Sequence, residues 1–183
     1  MRDEMKIKKN HIVLGHVGRF NQQKNHGLLL RIFKAVHDAM PQTVLMLVGD
    51  GELREQIEEC IHSLGLQDNV ILTGIRSDIA DLMQAMDVLL FPSIYEGLPV
   101  ALVEAQASGL PCVISDVITD EVVITDLICK LSLKSPISEW KNAILSRAVQ
   151  PRRVYTDEIV QSGYDIRSAV HFLEEFYCDI YKA

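Results

Sequence analysis

Residues 88–109 decide the fold, and they read Val88-Leu-Leu-Phe-Pro-Ser-Ile-Tyr-Glu-Gly-Leu-Pro-Val-Ala-Leu-Val-Glu-Ala-Gln-Ala-Ser-Gly109. The apolar start is typical of a buried strand. Pro99 lacks an N–H and therefore suits the first position of a helix, which Gly109 would end. The stretch thus predicts a strand, a loop that carries Glu96, and a helix with Glu104 about one and a half turns from its start. Free backbone amides at that start favour an anion such as a diphosphate.

Similar units lie on both sides of this stretch. The predicted strands are 11–18, 43–49, 69–74, 88–93 and 111–115, and the predicted helices between them are 27–40, 52–63, 79–86 and 99–109. Continuous apolar strands that alternate with helices predict an α/β fold, a Rossmann-like parallel sheet with helices on both faces. An edge strand at 127–133 would bring the sheet to about six strands. Ligands of such sheets bind beyond the carboxyl ends of the strands.

The two ends of the chain have weaker patterns. Residues 1–10 are polar and lysine-rich, so we expect a frayed lead-in. A further helix is predicted to open near Ser135 and to end before Pro151. Residues 152–165 are polar and are predicted to be loop. Apolar residues at helical spacing over 166–181 predict a last helix.

Length and composition describe one globular domain, at most with an appendage. The chain has 183 residues, of which 48% are hydrophobic and 23% are charged. Its net charge of −7 argues against a general nucleic-acid binder. No apolar run has the length of a membrane span and the first residues do not form a signal peptide, so we expect a cytoplasmic protein. Four scattered cysteines without metal-ligand spacing are expected to be reduced, mostly buried thiols.

Charged residues follow several of the predicted strands. Arg19 and Lys24 come after Gly18, whose missing side chain lets backbone approach a ligand, and both types of cation bind phosphate. Taken alone, two cations in a polar loop are more often solvated surface charges. Glu104 lies among apolar residues, where a charge needs a partner such as two ribose hydroxyls; an exposed helix face is the equally favoured alternative. The glycines match neither a Walker loop nor the dinucleotide-binding pattern.

Several motifs stand in order along the chain: Gly18-Arg19 with Lys24, Gly49-Asp-Gly-Glu-Leu-Arg54, Val70-Ile-Leu-Thr-Gly74, and Glu96 with Glu104. In this series the chain resembles the retaining glycosyltransferases of family 4, also called glycosyl transferases group 1, which have the two-domain GT-B fold. More narrowly, it is similar to bacterial capsular and exopolysaccharide glycosyltransferases. That likeness is carried by Tyr95-Glu-Gly-Leu-Pro99, Gly109-Leu-Pro-Cys-Val-Ile-Ser-Asp116 and Ile124-Thr-Asp-Leu127. It covers roughly residues 11–182.

The resemblance implies a role for each motif residue. The catalytic residues would be Arg19, Lys24 and Glu96, with the two cations on the donor's diphosphate and the carboxylate beside the sugar. Glu104 would hold the ribose. The donor-binding residues would be Gly18, Gly74, Ile75, Arg76, Gly97, Leu98, Pro99, Val100 and Glu104. The substrate would be a nucleotide sugar, with a UDP-sugar as the expected class, and no metal or other cofactor is implied. Many relatives read Glu-Pro-Phe-Gly-Leu where this chain reads Glu96-Gly-Leu-Pro-Val100, so the sugar is not carried over.

The resemblance also implies a domain organisation. Residues 11–150 would bind the nucleotide sugar, and residues 151–183 would form a linker and a helix that crosses back to an absent N-terminal domain. That domain would carry the lipid-linked or glycan acceptor, and it would be the part to contact the inner face of a membrane. We therefore expect a hexosyltransferase as the two-domain protein and no activity from this chain alone. Two other interpretations stay open: a nucleotide-sugar epimerase on the same scaffold, and a non-catalytic binding module on a doubly wound sheet.

Overall fold

A single sheet of six parallel strands forms the centre of the protein in the computed structural model, which describes residues 1–182. The strands are β1 Ile12–Val17, β2 Thr43–Val48, β3 Val70–Gly74, β4 Val88–Phe91, β5 Cys112–Ser115 and β6 Ile128–Leu131. They lie in the order β3-β2-β1-β4-β5-β6, and neighbouring strands pair in parallel. The predicted fold class is confirmed, including β6 as an edge strand.

Helices cover both faces of the sheet. Those in the described residues are α1 His26–Ala39, α2 Arg54–Ser63, α3 Ile79–Ala85, α4 Val100–Ala107, α5 Ile137–Arg147, α6 Thr156–Gln161 and α7 Ile166–Lys182. One core lies between the sheet and α1, α2 and α5, and a second lies between the sheet and α3 and α4. Side chains alternate along a strand, so Val88 and Leu90 of β4 enter the first core while Leu89 and Phe91 enter the second. Burial on both faces explains why the strands are continuous apolar runs.

The strand order reverses between β1 and β4. The chain leaves β1 towards β2 and β3, returns to β4 on the other side of β1, and continues outwards through β5 and β6. In open α/β sheets, connections that leave in opposite directions open a crevice at the carboxyl ends of the two central strands. The loops that follow β1 and β4 therefore lie side by side.

Helix α6 contradicts the predicted loop over residues 152–165. It spans Thr156–Gln161, and the adjoining Tyr155 and its own Ile159 are buried. Its sequence is short and mostly polar, and only one of its residues is buried, so no helical period was visible. Tyr155 and Ile159 are buried because this segment packs on α4, a contact that the local sequence does not predict.

The starts of α4 and α3 show two differences between prediction and structure. Helix α4 begins at Val100, one residue later than predicted, and Pro99 precedes it in an extended conformation with ψ of 104°. Asp78 precedes α3 as predicted, yet its carboxylate does not cap that helix. It binds Arg76 instead, at 2.8 Å from Nε to Oδ1.

The first ten residues are anchored and do not fray. Arg2 donates from Nε to the carbonyl of Ala85 at 2.7 Å and pairs with Asp87 at 2.7 Å, and Ile7 is buried in the second core. Of the four free cysteines only Cys112 is fully buried, so the expectation of mostly buried thiols is wrong. Among residues 1–182, no helix has the length and apolar character needed to cross a membrane.

Candidate functional site

The loop after β1 is shaped so that Lys24 points to β4. Residues Gln22–Lys24 form a short 3-10 helix, and the side chain of Asn21 accepts the N–H of Lys24 at 3.2 Å. Asn25 closes the turn with φ of +56°, a left-handed conformation that asparagine tolerates. The next residue begins α1. The turn therefore fixes the direction of Lys24 before the helix starts.

Lys24 and Glu96 form a nearly buried ion pair at the strand-order reversal. Their Nζ and Oε1 atoms are 2.7 Å apart, and the two side chains are 13% and 7% exposed. The second carboxylate oxygen, Oε2, accepts a hydrogen bond from Nε2 of Gln23 at 3.0 Å. Nζ of Lys24 also lies 4.5 Å from the ring centre of Phe91, in a cation–π contact. The structure thus brings together two of the three residues predicted to be catalytic.

Gly18 leaves the space that the lysine needs. A Cβ atom at this position would lie 2.9 Å from Cε of Lys24 and 3.3 Å from Nε2 of His16. The lysine stem therefore passes directly over the backbone of Gly18. Any larger residue would displace the stem or the loop.

Two buried histidines lie beneath this loop. The rings of His16 and His26 meet edge to face, with centroids 5.0 Å apart. Nδ1 of His16 lies 3.0 Å from the carbonyl oxygen of Leu90, which only accepts, so Nδ1 must carry the proton and donate. In this neutral tautomer Nε2 is an acceptor, and it has no hydrogen-bond partner among the described residues. Burial, and next the charge on His26, lower the pKa of His16 to about 3. Burial lowers the pKa of His26 to about 4. Both rings are therefore neutral near pH 7.

Arg19 lies apart from the Lys24–Glu96 pair. Its Nε bonds to Oε2 of Glu52 at 3.1 Å, and both side chains are largely exposed. Arg19 lines a cleft of about 470 Å³ together with Gly49, Asp50, Gly51 and Ile75. This cleft opens along the loops after β1, β2 and β3, at the carboxyl edge of the sheet. Arg19 and Lys24 thus both follow β1 at the carboxyl edge of the sheet, but only Lys24 contacts Glu96.

The loop after β3 presents an exposed apolar side chain. Gly74 has φ of +69°, and the side chain of Ile75 is 85% exposed at the rim of the cleft. Arg76 makes two bonds to Asp78, and these lower the pKa of the Asp78 carboxyl. Arg76 is thus held by its own loop and does not enter the cleft lining.

The start of α4 offers backbone donors to solvent. Gly97, Leu98 and Val100 are exposed, while Pro99 is buried. The first N–H groups of a helix have no partner within the helix, and they suit an anion. Glu104 lies exposed on α4, and in the described residues its carboxylate has no hydrogen-bond or ion-pair partner. This exposed position is compatible with both predictions for Glu104, the ribose contact and the solvated helix face.

Gln23 and the histidine pair belong to this site but were not predicted from the sequence. Gln23 stands in the predicted loop, but its contact with Glu96 joins residues 73 positions apart, and no spacing rule reports that. His16 lies in β1 and His26 begins α1, so no spacing rule pairs them. A second cavity of about 280 Å³ lies behind the loop, between α1 and α2. Because neither Lys24 nor Glu96 lines this cavity, we do not assign it to this site. Within residues 1–182, no group of three or more His, Cys, Asp or Glu side chains is arranged to hold a metal ion.

Residues 1–148 match the family described as Glycosyl transferases group 1. The chain belongs to this family. It is 42% identical to the putative glycosyltransferase EpsF of Bacillus subtilis, over 93% of the chain and 46% of EpsF. It is 36% identical to the UDP-Gal:alpha-D-GlcNAc-diphosphoundecaprenol alpha-1,3-galactosyltransferase of Escherichia coli, over 61% of the chain and 30% of that enzyme. The chain thus spans at most about half the length of these group 1 relatives.

Solved structures of glycosyltransferases share the fold. HepE of Anabaena, crystallised with UDP, superposes with a TM-score of 0.76 at 21% identity, over 97% of this chain and 51% of HepE. HepE has also been crystallised with UDP-glucose. The likeness supports the predicted GT-B half at the level of fold. It assigns no role to a residue of this group 1 chain.

Proposed function

We propose that this chain is the nucleotide-sugar-binding half of a retaining, metal-independent glycosyltransferase that builds bacterial surface polysaccharide. The observation that carries the proposal is the ion pair between Lys24 and Glu96, which lies at the strand-order reversal beside the start of α4. Ligands of doubly wound sheets bind at that place. A nearly buried cation, a nearly buried carboxylate and free helix amides there suit a donor with a charged diphosphate and a hydroxylated sugar.

Each group has a role in the proposed site. The diphosphate would bind the first amides of α4, near Gly97 to Val100, and the ammonium of Lys24. Glu96 would accept hydrogen bonds from sugar hydroxyls, and the exposed carboxylate of Glu104 would accept hydrogen bonds from the two ribose hydroxyls. The base would lie against Gly74 to Arg76, in the cleft that Arg19 also lines. Arg19 would leave Glu52 for the diphosphate, since their exposed pair is weak.

The proposed chemistry is stabilisation of a leaving group. Negative charge develops on the diphosphate as the bond between the sugar and the phosphate breaks. Preorganised cations and amides lower the energy of that charge more than water does. Lys24, Arg19 and the α4 amides supply such donors from the chain itself. This supports a transfer that needs no metal ion and no other cofactor.

The whole protein's activity requires more than this chain in our proposal. The E. coli relative is named for a UDP-sugar donor and a lipid-linked acceptor, which supports the same two classes here. An N-terminal domain would bind the acceptor and form the second wall of the cleft. We propose that the protein acts in the cytoplasm, at the inner face of the membrane where lipid-linked acceptors lie.

Titration calorimetry with UDP tests the proposal. We expect binding by the wild-type chain and a loss of about 1–3 kcal/mol for Arg19→Ala and for Glu104→Ala, the range for a lost charge-assisted hydrogen bond. Arg31→Ala and Glu139→Ala are matched controls, because both remove an exposed helical charge outside the site. Absence of binding at millimolar UDP, even with the N-terminal domain restored, would refute the proposal. If the restored protein releases free sugar isomers and lengthens no glycan, it is an epimerase.

A further inference from the structure

The loops after β1 and β4 are joined by more than the lysine–glutamate pair. Asn25 donates from Nδ2 to the carbonyl of Pro92 at 3.1 Å. The backbone carbonyl of Gln23 accepts the N–H of Ile94 at 2.8 Å. These bonds flank Lys24 on both sides. Gln23 therefore has a fixed backbone before its side chain makes any contact.

The side chain of Gln23 binds the candidate catalytic carboxylate directly. Its Nε2 donates to Oε2 of Glu96 at 3.0 Å and to the carbonyl of Tyr95 at 3.0 Å. Lys24 holds the other oxygen, Oε1, at 2.7 Å. A carboxylate only accepts, and each oxygen has two lone pairs. Each oxygen of Glu96 thus keeps one site for a further donor.

The two partners of Glu96 act differently. A lysine ammonium is a compact charge with rotatable donors, so it attracts a carboxylate without fixing its plane. The planar amide of Gln23 is anchored to the backbone of Tyr95, and it holds the second oxygen in one direction. We propose that Gln23 is a positioning residue that orients Glu96 towards the hydroxyl groups of the donor's sugar. This rests on the function proposed above for Glu96.

The chemistry of glutamine fits that position. Its neutral amide reaches Glu96 and donates without adding charge. A carboxylate in its place would put two negative charges within hydrogen-bond distance, which is unfavourable. Methionine has a similar length and no donor. Gln23→Met and Gln23→Glu therefore remove the bond in two distinct ways.

A crystallographic comparison of the chain tests the contact whether or not nucleotide binds. We expect the Glu96 carboxylate of Gln23→Met to rotate away from its wild-type orientation while Lys24 stays near it. Gln22→Met is the matched control, because Gln22 is the exposed neighbour in the same short helix. An unchanged Glu96 orientation in Gln23→Met would overturn the inference.

Calorimetry on the same variants tests the consequence for the sugar. With UDP as the probe we expect dissociation constants within about twofold of wild type, and with UDP-glucose we expect weakening of about tenfold, as for one lost bond to a charged group. Gln23→Glu should weaken UDP-glucose binding further. Equal weakening of both probes would overturn the inference, because it indicates a merely structural loop. If the wild type binds neither probe, the proposed function fails, and the crystallographic comparison alone decides the contact.

Discussion

Loss of Lys24 should destabilise the fold as well as the proposed site, because its partner Glu96 is nearly buried. Removal of one member of a buried pair leaves an uncompensated charge and costs about 3–5 kcal/mol. We expect Lys24→Met to lower the free energy of unfolding, measured with urea, by about 3 kcal/mol, since Gln23 still binds Glu96. Addition of Glu96→Gln should restore part of the loss.

Lys34 provides the matched control for that experiment. It pairs with Asp38 on the surface of α1, with side chains 36% and 58% exposed. Exposed pairs contribute about 0–1 kcal/mol, so Lys34→Met should change stability little. If Lys24→Met costs no more than Lys34→Met, or if the double variant is additive, the buried pair does not stabilise the fold.

The histidine pair makes stability depend on pH. The pKa values of His16 and His26 fall from 6.5 to about 3 and about 4 on folding. The unfolded chain therefore binds more protons below pH 6.5, and the stabilising effect, complete above that pH, is lost as the pH falls towards 4. Each histidine should remove up to about 1.4 kcal/mol of unfolding free energy per pH unit in this window.

His26→Phe tests the origin of that slope. Neither ring nitrogen of His26 has a hydrogen-bond partner in the described residues, so phenylalanine replaces it with little loss of contacts. Urea denaturation between pH 6.5 and 4.5 should show a slope reduced by about half in the variant. The same measurement at pH 8 isolates any packing change. A slope equal to that of the wild type would contradict the assignment.

At the scale of elements, the backbone of the loop after β2 packs closely against the backbone of the loop after β1. Gly49 has φ of +138°, and a Cβ there would lie 2.0 Å from the carbonyl oxygen of Gly18. The N–H of Phe20 donates to the carbonyl of Asp50 at 2.9 Å. The two loops therefore meet too closely for a side chain at position 49.

Gly49→Ala should damage both stability and nucleotide binding. The strained backbone costs about 1–3 kcal/mol, and the clash displaces the loop that carries Arg19. Gly27→Ala is the opposite case, because Gly27 lies in α1 with open space around its Cα. That variant should gain about 0.4–1 kcal/mol by reducing the freedom of the unfolded chain. Thermal melting and UDP calorimetry measure both effects, and an unchanged UDP affinity in Gly49→Ala would contradict the first.

The sequence predicts some elements and not others for physical reasons. Strands such as β4 are buried on both faces, so their apolar runs were visible, and the strand–helix alternation predicted the sheet. Helix α6 packs against α4, and the pattern of its own six residues does not indicate that contact. At the site, the order of the chain predicted that Lys24 and Glu96 lie on one edge. The structure shows that Glu96 pairs with Lys24, not with Arg19, and that Gln23 also binds Glu96. These contacts depend on side-chain rotamers and loop packing, which residue spacing in the sequence does not predict.

The whole molecule presents its proposed site on an open edge. Ile75 at the rim of the cleft is exposed to solvent, and so are Gly97 and Leu98 before α4. Charge stabilisation by cations and amides is far stronger where water is excluded. An open edge therefore suits nucleotide binding better than sugar transfer. This agrees with a chain that spans about half of its relatives.

Helix α7 is the second exposed feature at this scale. Phe172, Phe176 and Tyr181 are 64%, 50% and 89% exposed, and the rings of Phe172 and Phe176 stack with centroids 6.2 Å apart. Exposed apolar patches of this kind mark interaction surfaces. Glu174, Glu175 and Asp179 lie on the same helix and disfavour an anionic lipid surface. We expect the proposed N-terminal domain to cover the apolar side.

Hydrogen exchange on the chain with and without its N-terminal domain tests this expectation. The amides of α7 should exchange at least about tenfold more slowly in the two-domain protein, because burial suppresses local opening. Phe172→Gln with Phe176→Gln should reverse that protection and reduce sugar transfer, while UDP affinity stays unchanged because the α4 and Lys24 contacts remain. Val149→Gln, at an apolar residue exposed outside α7, is the control and should change neither. Sugar transfer by the 183-residue chain alone would contradict this expectation, because the second wall of the cleft would then be unnecessary. Equal exchange rates of the α7 amides in both proteins would contradict it as well.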